Sequence, residues 1–86
     1  MRLVDETLDA WRQGERLLQE IPQADVDHVT VRFAVATLKI AYQQLTETET
    51  PSERDEAAVR RTVVAMRAVL DQVGQRYRGE GTARPD

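Results

Sequence analysis

The sequence predicts an all-α protein, an antiparallel up-down-up bundle of three helices, and three observations support this prediction. Apolar residues recur at helical spacing in three successive segments, 3–20, 25–46 and 51–78. Breaks that contain Pro22 and Pro51 separate these segments, and no segment alternates apolar and polar residues as a strand would. The connections are about five residues long, which favours antiparallel packing of neighbouring helices.

The first segment carries its large apolar residues along one stripe of the predicted helix. The stripe consists of Val4, Leu8, Trp11, Leu18 and Ile21, which recur at helical spacing. Gly14 interrupts the segment and costs about 1 kcal/mol relative to alanine in a helix interior, unless it permits close backbone approach. We therefore expect a tight helix crossing beside Trp11.

The second segment begins at Asp25, a good N-cap, and has two adjacent apolar stripes. One consists of Val26, Val29, Phe33, Ala36 and Ile40, and the other of Val31, Ala34, Leu38, Ala41 and Leu45. Together they cover a wide arc of the helix. This pattern is typical of a central packing element, and equally of a helix that also covers an intermolecular contact.

The third segment has the clearest predicted start, with Thr50 as N-cap, Pro51 in the first turn and Glu53 completing a capping box. Its heptad stripe consists of Val59, Val63, Met66, Leu70, Val73 and Tyr77. Gly79 is expected to end the helix. We therefore predict one domain over 1–78 and a flexible, disordered tail over 79–86.

The composition indicates a folded chain without cysteine chemistry. The 86 residues are 41% hydrophobic, carry a formal net charge of −3 and include no cysteine, which excludes disulfides and thiolate ligands. The acidic start of the sequence does not resemble a signal peptide, and no apolar run reaches membrane-spanning length. We expect a cytoplasmic protein. Lys39 is the one lysine among twelve basic residues, a bias that favours a GC-rich, bacterial source.

Residues that perform catalysis or bind metals are sparse and scattered. His28 is expected on the surface at the start of the second helix, where its neighbours do not complete a metal-ligand set. Ser52 is the one serine and has no histidine predicted nearby, so a catalytic triad is excluded. The carboxylates are predicted on solvent-exposed faces. We therefore predict no enzymatic activity, no catalytic residue, no metal and no cofactor.

Arginines concentrate on the third helix, where the candidate charged-face residues are Arg60, Arg61 and Arg67. Residues 52–78 contain six basic and four acidic side chains, although the whole chain is acidic. The alternative functions are therefore an anion- or nucleic-acid-binding bundle, or a small helical enzyme with Arg60, Arg67 or Lys39 facing inward. The interspersed acidic residues argue against nucleic acid. Pairing with the acidic first helix explains the same arginines without a ligand.

The function that this pattern favours is a non-catalytic protein–protein interaction module. Small regulatory or accessory subunits of this kind include antitoxins, immunity proteins, anti-defence proteins and complex adaptors. The partner is expected to be another protein, a second copy of this chain, or both, with a homodimer favoured because twofold dimers are the commonest oligomers. The residues predicted to form the apolar contact are Val31, Val35, Leu38, Tyr42 and Val64.

Overall fold

The structure, a computed structural model, describes the backbone of residues 2–82 and the side chains of residues 2–77. Three helices make up the fold: α1 (Leu3–Glu20), α2 (Val26–Glu47) and α3 (Glu53–Thr82). Each helix packs against the other two, and the short connections make consecutive helices run in opposite directions. This arrangement confirms the predicted three-helix bundle.

The ends of α1 and α2 lie within one residue of the predicted positions. Asp25 precedes α2 with extended backbone, and its Oδ1 accepts a hydrogen bond of 2.8 Å from the Asp27 backbone N–H. This contact satisfies one of the unpaired amides at the helix start and confirms Asp25 as the N-cap.

The start of α3 differs from its prediction. The capping box is formed by Ser52 and Asp55, not by Thr50 and Glu53. The Asp55 N–H donates to Ser52 Oγ at 3.1 Å, and the Ser52 N–H donates to Asp55 Oδ2 at 3.4 Å. Both pairs have the spacing of a capping box, and the sequence pattern fits both, so only the backbone path of the connection selects one.

The end of α3 lies beyond Gly79. The helix continues to Thr82, so 79–82 of the predicted tail have helical backbone, and 83–86 lie outside the described residues. Glycine lowers helix propensity by about 1 kcal/mol but still adopts helical dihedral angles. Gly74 is likewise helical, and it is buried.

The hydrophobic core lies along the axis where the three helices meet. Its largest fully buried side chains include Leu38, Leu70, Val31 and Val73. The heptad stripe of α3 supplies Val59, Val63, Leu70 and Val73, with Met66 and Tyr77 packed against them. The stripe of α2 that begins at Val31 is buried except for the half-buried Leu45, whereas the stripe that begins at Val26 is exposed.

The buried line of α1 differs from the predicted stripe and consists mainly of small residues. Leu3, Thr7, Ala10 and Gly14 are buried. Of the predicted stripe Ile21 is buried, whereas Val4, Leu8, Trp11 and Leu18 are only partly buried. Small side chains let α1 approach its neighbours closely, and the larger apolar residues then pack on either side of the contact line. The Thr7 hydroxyl donates to the Leu3 carbonyl at 2.8 Å, so its burial leaves no unpaired polar group.

Candidate interaction surfaces

Helix α2 exposes a line of large apolar side chains. Val26, Val29, Phe33 and Ile40 are 75%, 58%, 69% and 58% exposed, respectively. Their spacing of three, four and seven residues keeps them on one side of the helix. We call these four residues the α2 apolar face. From Val26 to Ile40 the face extends about 21 Å along the helix.

The α2 apolar face continues across a groove onto α3. Val29 and Phe33 line this groove together with Thr30, Ala34, Met66 and Val69. None of these six residues is ionisable. An apolar strip that spans two helices is larger than the scattered apolar residues that monomeric proteins usually expose, and such strips mark interaction sites.

The structure places three of the predicted contact residues inside the bundle. Val31 and Leu38 have no exposed surface and Val35 is 9% exposed, so none of them reaches a partner in this conformation. Tyr42 is half-buried, with its ring centroid 5.7 Å from that of Trp11. Periodicity identifies both stripes of α2, but the packing of α1 and α3 decides which stripe stays accessible.

Val64 is 65% exposed and lies beside the candidate arginines. It lines a shallow surface on α3 together with Ala57, Arg60, Arg61 and Ala65. We call these five residues the α3 arginine face. Arg67 is half-buried and does not line this surface. One predicted apolar contact residue, Val64, therefore shares a surface with two of the three predicted charged residues, Arg60 and Arg61.

The expected ion pairs between α1 and these arginines do not form. Within residues 2–77 the salt bridge is Arg76 Nη2 to Asp27 Oδ1 at 2.7 Å, which joins α3 to α2. Arg60, Arg61 and Arg67 have no carboxylate within ion-pair distance among the described side chains. Intramolecular pairing is therefore the wrong explanation for these arginines.

A recess between the start of α1 and the connection of α2 to α3 combines opposite charges. Arg2 and Arg60 line it, but so do Glu49 and Glu56. The two carboxylates offset the charge of the two guanidinium groups within this recess, so the recess itself is not a site for a free anion. Lys39 is exposed on α2 and does not face inward.

His28 is buried and not on the surface as predicted. It is 8% exposed, and its Nδ1 has no hydrogen-bond partner. Among the side chains of residues 2–77, no three His, Asp or Glu residues form a group able to hold a metal ion. Ser52 Oγ accepts a hydrogen bond from the Asp55 backbone N–H, so the role of this serine is to cap the start of α3.

None of the three described helices is both long enough and apolar enough to cross a membrane. No protein-family model, curated protein or solved structure matches this chain significantly. The arguments about function therefore depend on the two surfaces themselves.

Proposed function

We propose that this protein is a non-catalytic protein–protein interaction module, a small regulatory or accessory subunit that self-associates through the α2 apolar face. The observation that supports the proposal is the exposure of Val26, Val29, Phe33 and Ile40 along one line of α2. Full burial of each large apolar side chain contributes about 1.5–3 kcal/mol of favourable free energy. Burial of these side chains against a second copy of the chain therefore favours dimerisation.

A twofold dimer suits this face because identical surfaces meet in it. A surface of one charge would repel its own copy in such a dimer. The groove beside Val29 and Phe33 has no ionisable lining residue, so this repulsion does not arise there. The α2 apolar face and the adjoining groove on α3 together span two helices 8–10 Å apart and are roughly 20 Å wide, so their joint footprint is roughly 400 Å². Stable complexes bury about 800 Å² per partner, and the proposed dimer is accordingly weak.

The experiment is sedimentation velocity or light scattering across a dilution series of the wild-type chain and of Phe33→Glu. We expect the wild-type protein to dissociate at micromolar concentrations and Phe33→Glu to be monomeric throughout. The matched control is Val64→Glu, which places the same charge on an equally exposed apolar residue outside the face. A wild-type chain that is monomeric at every concentration contradicts self-association, as does a Phe33→Glu variant that dimerises like Val64→Glu.

The proposal places the protein in the bacterial cytoplasm, in a role of the antitoxin, immunity, anti-defence or complex-adaptor kind. The absence of cysteine and the acidic, arginine-rich composition are compatible with that setting. Isolation of the native complex from the source organism, with the mass of each component measured, would identify the role.

A further inference from the structure

We propose that the α3 arginine face binds an acidic amphipathic helix of a partner protein, with apolar residues of that helix on Val64 and carboxylates on Arg60 and Arg61. This inference rests on the proposed interaction function but concerns a second surface. The expected complex is a bundle that self-associates through α2 and presents α3 to another protein.

Helix geometry places the arginines on both sides of Val64. Arg60 and Arg61 precede it by four and three residues, so they lie one turn away and diverge from its direction by about 40° and about 60° on opposite sides. Ala57, two turns away, lies nearly in line with Val64. The surface is therefore a narrow apolar line with a guanidinium group on each side.

These guanidinium groups are available to a partner. Both arginines are exposed, and neither has a carboxylate partner among the described side chains. An arginine presents several N–H donors in a planar arrangement that fits a carboxylate in a bidentate manner. A helix with glutamates on both sides of its apolar stripe matches this pattern residue by residue.

Charge excludes a second copy as the occupant of this face, because two identical arginine faces would repel each other. Nucleic acid fits less well, because its phosphates make no use of the exposed Val64.

The probe is a fluorescein-labelled helical peptide of about 18 residues with leucines at i, i+4, i+7 and i+11 and glutamates on both sides of that stripe. Fluorescence anisotropy measures its affinity for the full chain. The matched probes are the same peptide with lysines in place of glutamates, and a labelled DNA duplex. The protein variants are Arg60→Gln/Arg61→Gln, Val64→Ser and, as a control, Arg32→Gln, which changes an exposed arginine of α2.

We expect the acidic peptide to bind and the lysine peptide not to bind. Loss of both guanidinium groups weakens binding roughly tenfold, since each exposed charge pair contributes modestly. Val64→Ser weakens binding by a similar factor through the lost apolar contact. Arg32→Gln changes the affinity less than twofold, and all variants keep their helical circular dichroism.

Three results would overturn the inference: no binding of the acidic peptide, equal binding of the two peptides, or unchanged affinity of Arg60→Gln/Arg61→Gln. A fourth result would assign the face to nucleic acid. It is tight binding of the DNA duplex that weakens steeply with salt and is lost in Arg60→Gln/Arg61→Gln. The same titration on Phe33→Glu distinguishes the two proposals. Retained peptide affinity there supports the α3 face whether or not the wild-type chain dimerises.

Discussion

Gly14 of α1 and Val35 of α2 lie so close together that only a hydrogen atom fits on the Gly14 α-carbon. A Cβ added at Gly14 would lie 2.5 Å from Val35 Cγ2, and 3.6 Å from both Leu70 Cδ1 and Cδ2. The first distance is far below van der Waals contact, whereas the other two are ordinary. Gly14 therefore determines how closely α1 and α2 approach.

Gly14→Ala is expected to destabilise the protein by about 1 kcal/mol. Alanine gains about 1 kcal/mol in helix propensity, but overpacking a core costs about 1–3 kcal/mol. Val35 is stiff about χ1 and cannot move its methyl group aside without strain. The free energy of unfolding, measured in urea, tests the prediction.

The control for this overlap is the double variant Gly14→Ala/Val35→Ala. Removal of the Val35 methyl groups makes room for the new Cβ, so the double variant should lose less stability than the sum of the two single losses. Strictly additive losses, or a Gly14→Ala variant more stable than wild type, would contradict the close contact.

Ser52→Ala is expected to destabilise the protein by about 1 kcal/mol, because the Ser52 hydroxyl accepts the capping hydrogen bond from Asp55. Thr50→Ala removes a hydroxyl two residues earlier and should change the stability by less than about 0.5 kcal/mol. Urea unfolding monitored by circular dichroism measures both. If Thr50→Ala lost more stability than Ser52→Ala, Thr50 and not Ser52 would be the N-cap, as the sequence pattern predicts.

His28→Leu is expected to leave stability unchanged or to raise it by up to about 1 kcal/mol. A buried polar atom without a partner, such as His28 Nδ1, costs about 1–3 kcal/mol, and leucine removes it at similar volume. His28→Gln keeps a polar group in place and should show no gain. If His28→Leu were less stable than His28→Gln, the imidazole would have a stabilising partner.

Arg76→Gln is expected to cost less than about 1 kcal/mol, because the Arg76 side chain of the Asp27 pair is 59% exposed. The loss should shrink as sodium chloride rises toward 1 M, where screening weakens the pair. Arg61→Gln removes an equally charged but unpaired side chain and provides the control. Equal losses in the two variants at low salt would show that the pair does not stabilise the fold.

Local patterns in the sequence determined the helices. The N-cap at Asp25 and the core stripe of α3 from Val59 to Tyr77 depend on interactions within one helix or on a period of 3.6 residues. Both are visible without knowledge of the neighbouring helices. The bundle itself follows, because three amphipathic helices with short connections have few other ways to bury their apolar stripes.

The candidate site was predicted less well because burial depends on neighbouring helices. Val31 and Val26 begin two equally apolar stripes of α2, and only the positions of α1 and α3 decide that the first is buried and the second exposed. His28 lies three residues before Val31 on the same side of α2, so its burial follows from the choice of that side as the buried one. Whether Arg60 and Arg61 pair with carboxylates of α1 depends on distances between the two helices, and the spacing of residues along the chain does not give those distances.

The sequence by itself thus determined that this protein forms three helices, where α1 and α2 begin and end, and which residue types its surfaces offer. The tertiary structure alone decided which face of α2 is accessible, which small residues of α1 lie at the contact, and that Arg60 and Arg61 form no ion pair among the described side chains. The reason is physical: helix formation depends on neighbours within a few residues, whereas burial and pairing depend on residues brought together from distant parts of the chain.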